Sequence, residues 1–323
     1  MNSILLLGAG FSHNWDAPLS REVANSLLRK VHNDAYLQAL LTKHEKNFED
    51  ALSEIQQAYV ASPSSAQAEN RLVKLQAAIV EMFERLNGVL ERRMPSFEFS
   101  QEVRFSVSDF LARFDVIFGL NQDLLLELHY APRVSSALNA HRWGGLQMPG
   151  INLVNDRSIK GIGDQHRQRW MPAPPPFRVD PRLQPYFKMH ASSNWYTNDG
   201  GHLLVMGGNK DVIIKQSAVL SWYYDKFKAY LSLSDTRLMV IGYSFSDRHI
   251  NDAIIEARRN HSLMGMFLVD PVGRNVLPNN LKDIPSLGCS TRPIATTFGR
   301  DEFEYQTLTG FFSDFGPVSS PSL

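Results

Sequence analysis

The sequence predicts an α/β fold, a mostly parallel sheet with helices on both faces and a large helical insertion. Two observations carry that reading. Apolar runs of strand length alternate with stretches of helical spacing along the chain. Four of the runs break off into glycine or polar residues suited to handling a ligand. These are Ser3-Ile4-Leu5-Leu6-Leu7 before Gly8-Ala9-Gly10-Phe11-Ser12, residues 115–118 before Asn121-Gln122-Asp123, residues 186–189 before His190, and residues 238–241 before Gly242-Tyr243-Ser244. At 323 residues the chain is long enough to bury a large core.

The first run is the first strand, and its glycines let backbone N–H groups approach a phosphate closely. Ala17-Pro18-Leu19-Ser20 gives a turn with Ser20 as N-cap, and residues 21–30 follow with helical spacing. Helical character continues to about Met94. Tyr36, Leu37, Leu40 and Leu41 share one face, as do Phe48, Leu52 and Ile55. A polar break at Ala61-Ser62-Pro63-Ser64-Ser65 precedes a long amphipathic helix carrying Leu72, Leu75, Ile79, Met82, Phe83, Leu86 and Leu90. So long an insertion between two strands reads as a helical lid or packing module, unlike a minimal doubly wound fold. Residues 107–114 read as a short helix capped by Ser106 or Ser108, and residues 124–130 as another. Residues 143–185 are rich in glycine and proline and read as a long irregular connection. Asn198-Asp199-Gly200-Gly201 signals a hairpin turn before a strand at 202–206. A helix at 221–231, a strand at 238–241, a helix at 248–259 and a strand at 266–269 follow, then a last strand at 292–298 and a final helix at 301–312. The result is a single domain over residues 1–316, with the insertion at about 22–110, the irregular loop at about 143–185 and a Ser/Pro-rich tail at 317–323 read as disordered.

Composition excludes several classes. Lys+Arg and Asp+Glu are both 33, so the chain lacks the basic excess of a dedicated nucleic-acid binder. Its one cysteine, Cys289, excludes an intramolecular disulfide and any cysteine-rich zinc site. One thiol and no secretory signal point to a reducing cytoplasm. No stretch approaches the roughly twenty apolar residues that span a bilayer. His13, His129, His141, His166, His202 and His249 show no metal-ligand spacing, and no metal is expected. Gly8-Ala9-Gly10 does not extend to the G-x-G-x-x-G of a dehydrogenase loop, because His13 holds the last position. No acidic residue ends a second strand about twenty residues on, which further removes hydride transfer.

The combination of Gly8-Ala9-Gly10-Phe11-Ser12, Asn121-Gln122-Asp123, His190 and Gly242-Tyr243-Ser244 resembles the sirtuin (SIR2) family, and Pro18 and Arg21 fall in register with its I-P-D-F-R segment. The chain departs from the deacetylases of that family. It has no four-cysteine zinc module, Ala191 follows His190 where they have glycine, and Leu19 replaces the Asp of the I-P-D-F-R segment. These departures are similar to the bacterial SIR2-like branch of anti-phage defence systems, as are Met206-Gly207-Gly208-Asn209-Lys210 and Ser221-Trp222-Tyr223-Tyr224.

The resemblance implies a Rossmann-like sheet without a zinc module, NAD as substrate, and NAD glycohydrolase activity releasing nicotinamide and ADP-ribose in an abortive defence system. It implies Asn121 and His190 as catalytic, and Gly8, Ala9, Gly10, Phe11, Ser12, Arg21, Asp123, Gly242 and Ser244 as NAD-binding; to these the residue chemistry adds Asp247, beside Ser244, and Asp270, a carboxylate ending the strand at 266–269 that can accept from ribose hydroxyls. It further implies a homo-oligomer and a separately encoded sensor or activator: a DNA-translocating ATPase, an Argonaute-like protein or a nucleotide-sensing subunit. The residue chemistry agrees with hydrolysis. The Asn121 amide can orient a water through its donor and acceptor ends, and His190 can act as general base with a pKa near working pH. Deacylation, ADP-ribosyl transfer or cyclisation, and a non-catalytic nucleotide-binding scaffold remain open alternatives.

Overall fold

A computed structural model describes residues 2–44, 47–92, 97–140, 142–154, 165–208 and 210–313. The first apolar run forms β1 (Asn2–Leu7), whose side chains alternate between two cores. Ile4 and Leu6 pack into one, Leu5 and Leu7 into the other, the period-two consequence of the pleat. The remaining strands are β2 (Val116–Gly119), β3 (Leu146–Gln147), β4 (Ile151–Val154), β5 (Arg169–Pro172), β6 (Gln184–Lys188), β7 (Ala191–Tyr196), β8 (His202–Leu204), β9 (Thr236–Ile241), β10 (Leu263–Val269) and β11 (Ser286–Ser290). Seven of them form one sheet in the order β11-β10-β9-β1-β2-β6-β3, and every neighbouring pair is parallel.

The order reverses direction at β1. From there the chain builds β2, β3 and β6 on one side, then returns to lay β9, β10 and β11 on the other. Leu7 pairs in register with both Gly119 and Ile241, and Ile241 with Val269. The loops that follow β1, β2, β9 and β10 therefore leave the sheet at one height, around the crevice that a reversal of strand order creates.

The helices are α1 (Ala9–Ser12), α2 (Ser20–Lys30), α3 (Ala35–Lys43), α4 (Phe48–Ala61), α5 (Ala66–Arg92), α6 (Val107–Leu111), α7 (Lys210–Gln216), α8 (Ala218–Leu231), α9 (Arg248–Arg259), α10 (Ile294–Phe298) and α11 (Glu302–Thr309). Helices α8 and α9 cover one face of the sheet through Tyr223, Phe227, Ile250 and Ile254, while α6, α10 and α11 cover the other. The insertion α2–α5 has a core of its own, built from Leu27, Leu41, Leu52, Ile55, Leu75 and Ile79 and joined by Met206. Its helices start on side-chain caps: Asp34 accepts from the Leu37 N–H and Asn47 from the Glu49 N–H, each worth about 1 kcal/mol.

Three readings change. Residues 143–185 contain β3, β4 and β5, and β4, β5, β7 and β8 form a second, four-stranded sheet. Residues 294–298 are helical, not the last strand, because Pro293 stands at the N-cap of α10 with an extended backbone. The last strand is β11, a polar edge strand in which Gly288 lies at φ +140° and the register shifts against β10. Residues 126–130 wind as a π turn rather than an α-helix. His141, Asn209 and the 317–323 tail lie outside the described residues.

Candidate active site

The crevice between β1 and β9 is closed at its floor by three glycines in backbone contact. A Cβ on Gly8 would sit 2.4 Å from the Gly242 carbonyl oxygen, and one on Gly242 would sit 2.5 Å from the Gly10 Cα. Gly242 also lies at φ +63°, a conformation that glycine alone adopts readily. The Gly8 N–H donates to Ile241 O at 3.0 Å, and the Gly10 N–H to Gly242 O at 2.9 Å. These glycines are therefore required for loop-on-loop packing, and those two N–H groups are already engaged within the protein.

Above this floor opens a cleft of about 640 Å³, within the range of roughly 300–1,000 Å³ typical of small-molecule sites. Asn121, on the loop after β2, lines it. Its Nδ2 donates to Gly8 O at 3.1 Å and to Ser12 Oγ at 2.9 Å. The Gly8 carbonyl can only accept, which fixes the orientation of the amide. Both amide protons are thereby engaged and the Oδ1 acceptor is left without a protein partner. Asp123 accepts from the Leu125 N–H at 3.0 Å and so caps the following turn. Beneath it, the buried Lys188 reaches Asp123 O at 2.5 Å, Glu127 Oε1 at 2.6 Å and Ser192 Oγ at 2.8 Å. One ammonium thus ties the Asn121–Asp123 loop to β6 and β7. Burial raises the Glu127 pKa in spite of that ammonium.

His190 sits between β6 and β7 and is 2 % exposed. Its Nε2 is buried without a hydrogen-bond partner, while the ring bonds the Leu120 backbone. Nδ1 therefore carries the proton toward the Leu120 carbonyl, and Nε2 presents a lone pair. Burial, only partly opposed by the Asp247 charge, pushes the pKa down to about 3. The sequence expectation of a pKa near working pH is corrected: the imidazole is neutral throughout the physiological range. Ala191, next in the chain, lies at φ +61°, in the left-handed region that favours glycine.

Behind His190 lies a charged cluster. Lys210, the first residue of α7, contacts Asp247 Oδ1 at 2.6 Å and Glu49 Oε2 of α4 at 2.6 Å. Burial works against the charge of Asp247, but the Lys210 ammonium, through its charge and its hydrogen bond, helps to keep its pKa low. Burial likewise opposes the Lys210 charge, and the two carboxylates overcome it to raise the pKa. Glu49 is raised by burial despite Lys210. The His249 ring lies 5.6 Å from that of His190.

The cleft gathers Asn121, His190, Gly8, Ala9, Gly10, Asp123, Gly242, Ser244, Asp247 and Asp270 into one lining. Ser244 and Ser246 stand exposed at its rim with their hydroxyls 3.1 Å apart. Three expected residues stay outside. Phe11 is 1 % exposed and packs on Trp15. Ser12 is buried and acts through its bond to Asn121. Arg21 is exposed on α2 away from the lining. Tyr223 is core, with its hydroxyl on Pro149 O at 2.7 Å. Among the described residues, no group of three or more His, Cys, Asp or Glu side chains is placed to hold a metal ion. One solved structure, described as the crystal structure of a SIR2 homolog–NAD complex, is similar to this chain at 12 % sequence identity and a TM-score of 0.44, over 92 % of this chain and 86 % of that one. No family profile matches the sequence, and no curated protein matches it. The functional reading therefore rests on the cleft itself.

Sequence reasoning missed Glu49, Lys210, Lys188 and Asn87. Asn87 of α5 donates to Ser193 Oγ at 2.7 Å and accepts from the Leu124 N–H at 3.0 Å. Lys188, a basic residue ending a buried strand, and Lys210, in the noted Met206–Lys210 stretch, carried signals that could have been read. The lining offers the Asn121 amide oxygen, the neutral His190 lone pair and rim hydroxyls, which suits polarising a water or hydroxyl beside a bound organic ligand.

Proposed function

We propose that this chain is an NAD glycohydrolase, with the nicotinamide riboside end of NAD between Asn121 and His190 and the pyrophosphate along the Gly8–Gly10 and Ser244 loops. The single observation that supports it best is the pairing, in one cleft, of an Asn121 acceptor with both its protons tied down and a buried His190 Nε2 lacking any partner. Buried polar atoms are normally satisfied, so the unpartnered His190 Nε2, on the same lining as the Asn121 oxygen, points to an absent donor, which water or a ribose hydroxyl supplies. Asn121 therefore accepts from the nucleophile rather than donating to it.

In this reading water bonds to C1′ as the C1′–N bond breaks, and its electron pair leaves on nicotinamide, which departs neutral. The departing water proton passes to His190 Nε2. A pyridinium leaving group needs no acid, and the oxocarbenium-like carbon acidifies the attacking water as the C–O bond forms. A weak, neutral base is then sufficient. The role in bacterial abortive anti-phage defence, assembly into a homo-oligomer, and control by a separately encoded sensor or activator are supported by the sequence resemblance. Incubating NAD with the purified chain, alone and with proteins encoded beside its gene, and resolving nicotinamide, ADP-ribose and cyclised product by mass spectrometry tests the proposal. NAD bound and never turned over would sink it.

A further inference from the structure

The helical insertion is attached to the sheet in an unusual way. Gly207 and Gly208 lie against α4: a Cβ on Gly208 would meet Ser53 Oγ at 2.1 Å, and one on Gly207, at φ +80°, would meet Gln56 Oε1 at 2.6 Å. The Gly207 backbone also bonds the Glu49 carboxylate. Two positions after Gly208 comes Lys210, in contact with Glu49 on α4 and Asp247 on the β9–α9 loop, both at 2.6 Å. Three segments far apart in sequence thus meet on one ammonium. All three residues line the cleft, and so do Phe48 and Phe83 from the insertion. The β9–α9 loop is itself rigid, because the Tyr243 hydroxyl accepts from the Asp247 N–H at 3.0 Å and Asn251 donates to Phe245 O at 2.7 Å. The movable partner is then α4: α5 is tied to the sheet through Leu90 and the bonds of Asn87, whereas α4 packs within the insertion's own core, which Met206 joins and Leu204 borders.

We propose that Lys210 is a positioning residue that latches the helical insertion over the cleft, holding α4 to the β9–α9 loop through its paired contacts with Glu49 and Asp247. This rests on reading the cleft as the substrate site, but the latch is a statement about the free protein and can be tested without turnover. Removing the ammonium leaves two carboxylates facing one another at reduced exposure, so the segments separate. An α4 that swings away removes a wall of the cleft and leaves Asn121 and His190, which belong to the sheet, in place. Loss of the latch therefore weakens substrate binding more than it slows chemistry.

Hydrogen–deuterium exchange of the full chain decides the matter, comparing wild type with Lys210→Met, Glu49→Gln and Lys210→Arg. The expected result is exchange in α4 at least tenfold faster in Lys210→Met, a smaller acceleration in Glu49→Gln, near-normal behaviour in Lys210→Arg, and no change in α8. With NAD as substrate, KM in Lys210→Met rises at least tenfold while kcat stays within about threefold, and Lys210→Arg restores KM. Unchanged α4 exchange in both Lys210→Met and Glu49→Gln overturns the latch, and so does a loss confined to kcat. If Lys210→Met does not fold, Glu49→Gln alone carries the exchange test. Faster α4 exchange in a chain that never cleaves NAD upholds the latch and removes the hydrolase reading.

Discussion

Substituting His190 by glutamine isolates the consequence of burying a neutral imidazole. In the fold His190 has a pKa of about 3, against an ordinary 6.5. In the unfolded chain it takes up a proton as the pH falls through 6.5; in the folded chain it does not. The unfolded state therefore binds more protons between these values, and stability falls as the pH drops. Stability is full above pH 6.5 and is lost progressively toward pH 3. Between pH 7.5 and pH 5 the relevant span is about one and a half pH units at roughly 1.4 kcal/mol each, which gives ~2 kcal/mol. Burial also depresses the pKa values of His129 and His249, but their slopes are common to wild type and variant and cancel in the comparison. Glutamine cannot titrate, so urea unfolding at the two pH values should show His190→Gln losing about 2 kcal/mol less than wild type. Equal losses in the two proteins would refute the neutral-imidazole assignment, and with it the lone pair on which the proposed proton transfer depends.

Other expectations follow from particular contacts. Asn121→Ala should lower NAD turnover by roughly a hundredfold or more, as removal of a polar group that acts on the transition state does, with a stability loss near 1 kcal/mol from the two missing hydrogen bonds; steady-state kinetics and a denaturant curve separate the effects. Gly242→Ala should cost several kcal/mol, combining a left-handed backbone with a 2.5 Å approach to Gly10, and a variant melting like wild type would disprove the glycine contact. Ala191→Gly should fall within about 1 kcal/mol of wild type in thermal unfolding, because relief of ~1–2 kcal/mol of backbone strain is offset by a lost buried methyl and a floppier unfolded chain. Lys188→Met should destabilise the fold by about 3 kcal/mol with Glu127 present and by less with Glu127→Leu added, which a double-mutant cycle measures.

The parts of the fold read correctly from sequence are those where local pattern and burial coincide. Residues 4–7 and 238–241 are apolar because both faces of a parallel sheet are covered, and the break into Gly8 or Gly242 marks the edge where the cleft opens. Asn121 and His190 were legible for the same reason: polar residues directly after buried strands. Strand β11 escaped because Ser-Leu-Gly-Cys-Ser has only two apolar residues around a central glycine, too short an alternation to stand out. The β-branched run before Phe298 imitated a strand that Pro293 turns into a helix. Phe11 and Arg21 followed a motif register that carried no information about burial. The pairing of Lys210, which stands in the noted Met206–Lys210 stretch, with Glu49 was not legible because 161 positions separate them and the packing of α4 on Gly207 and Gly208 brings them together.

The most direct test of the account is NAD cleavage followed by mass spectrometry in wild type, Asn121→Ala and His190→Ala, each alone and with proteins encoded beside the gene. The account predicts nicotinamide and ADP-ribose from wild type under at least one of these conditions and from neither variant. Turnover that survives in both variants, or NAD that binds and stays intact with every neighbour present, would contradict it.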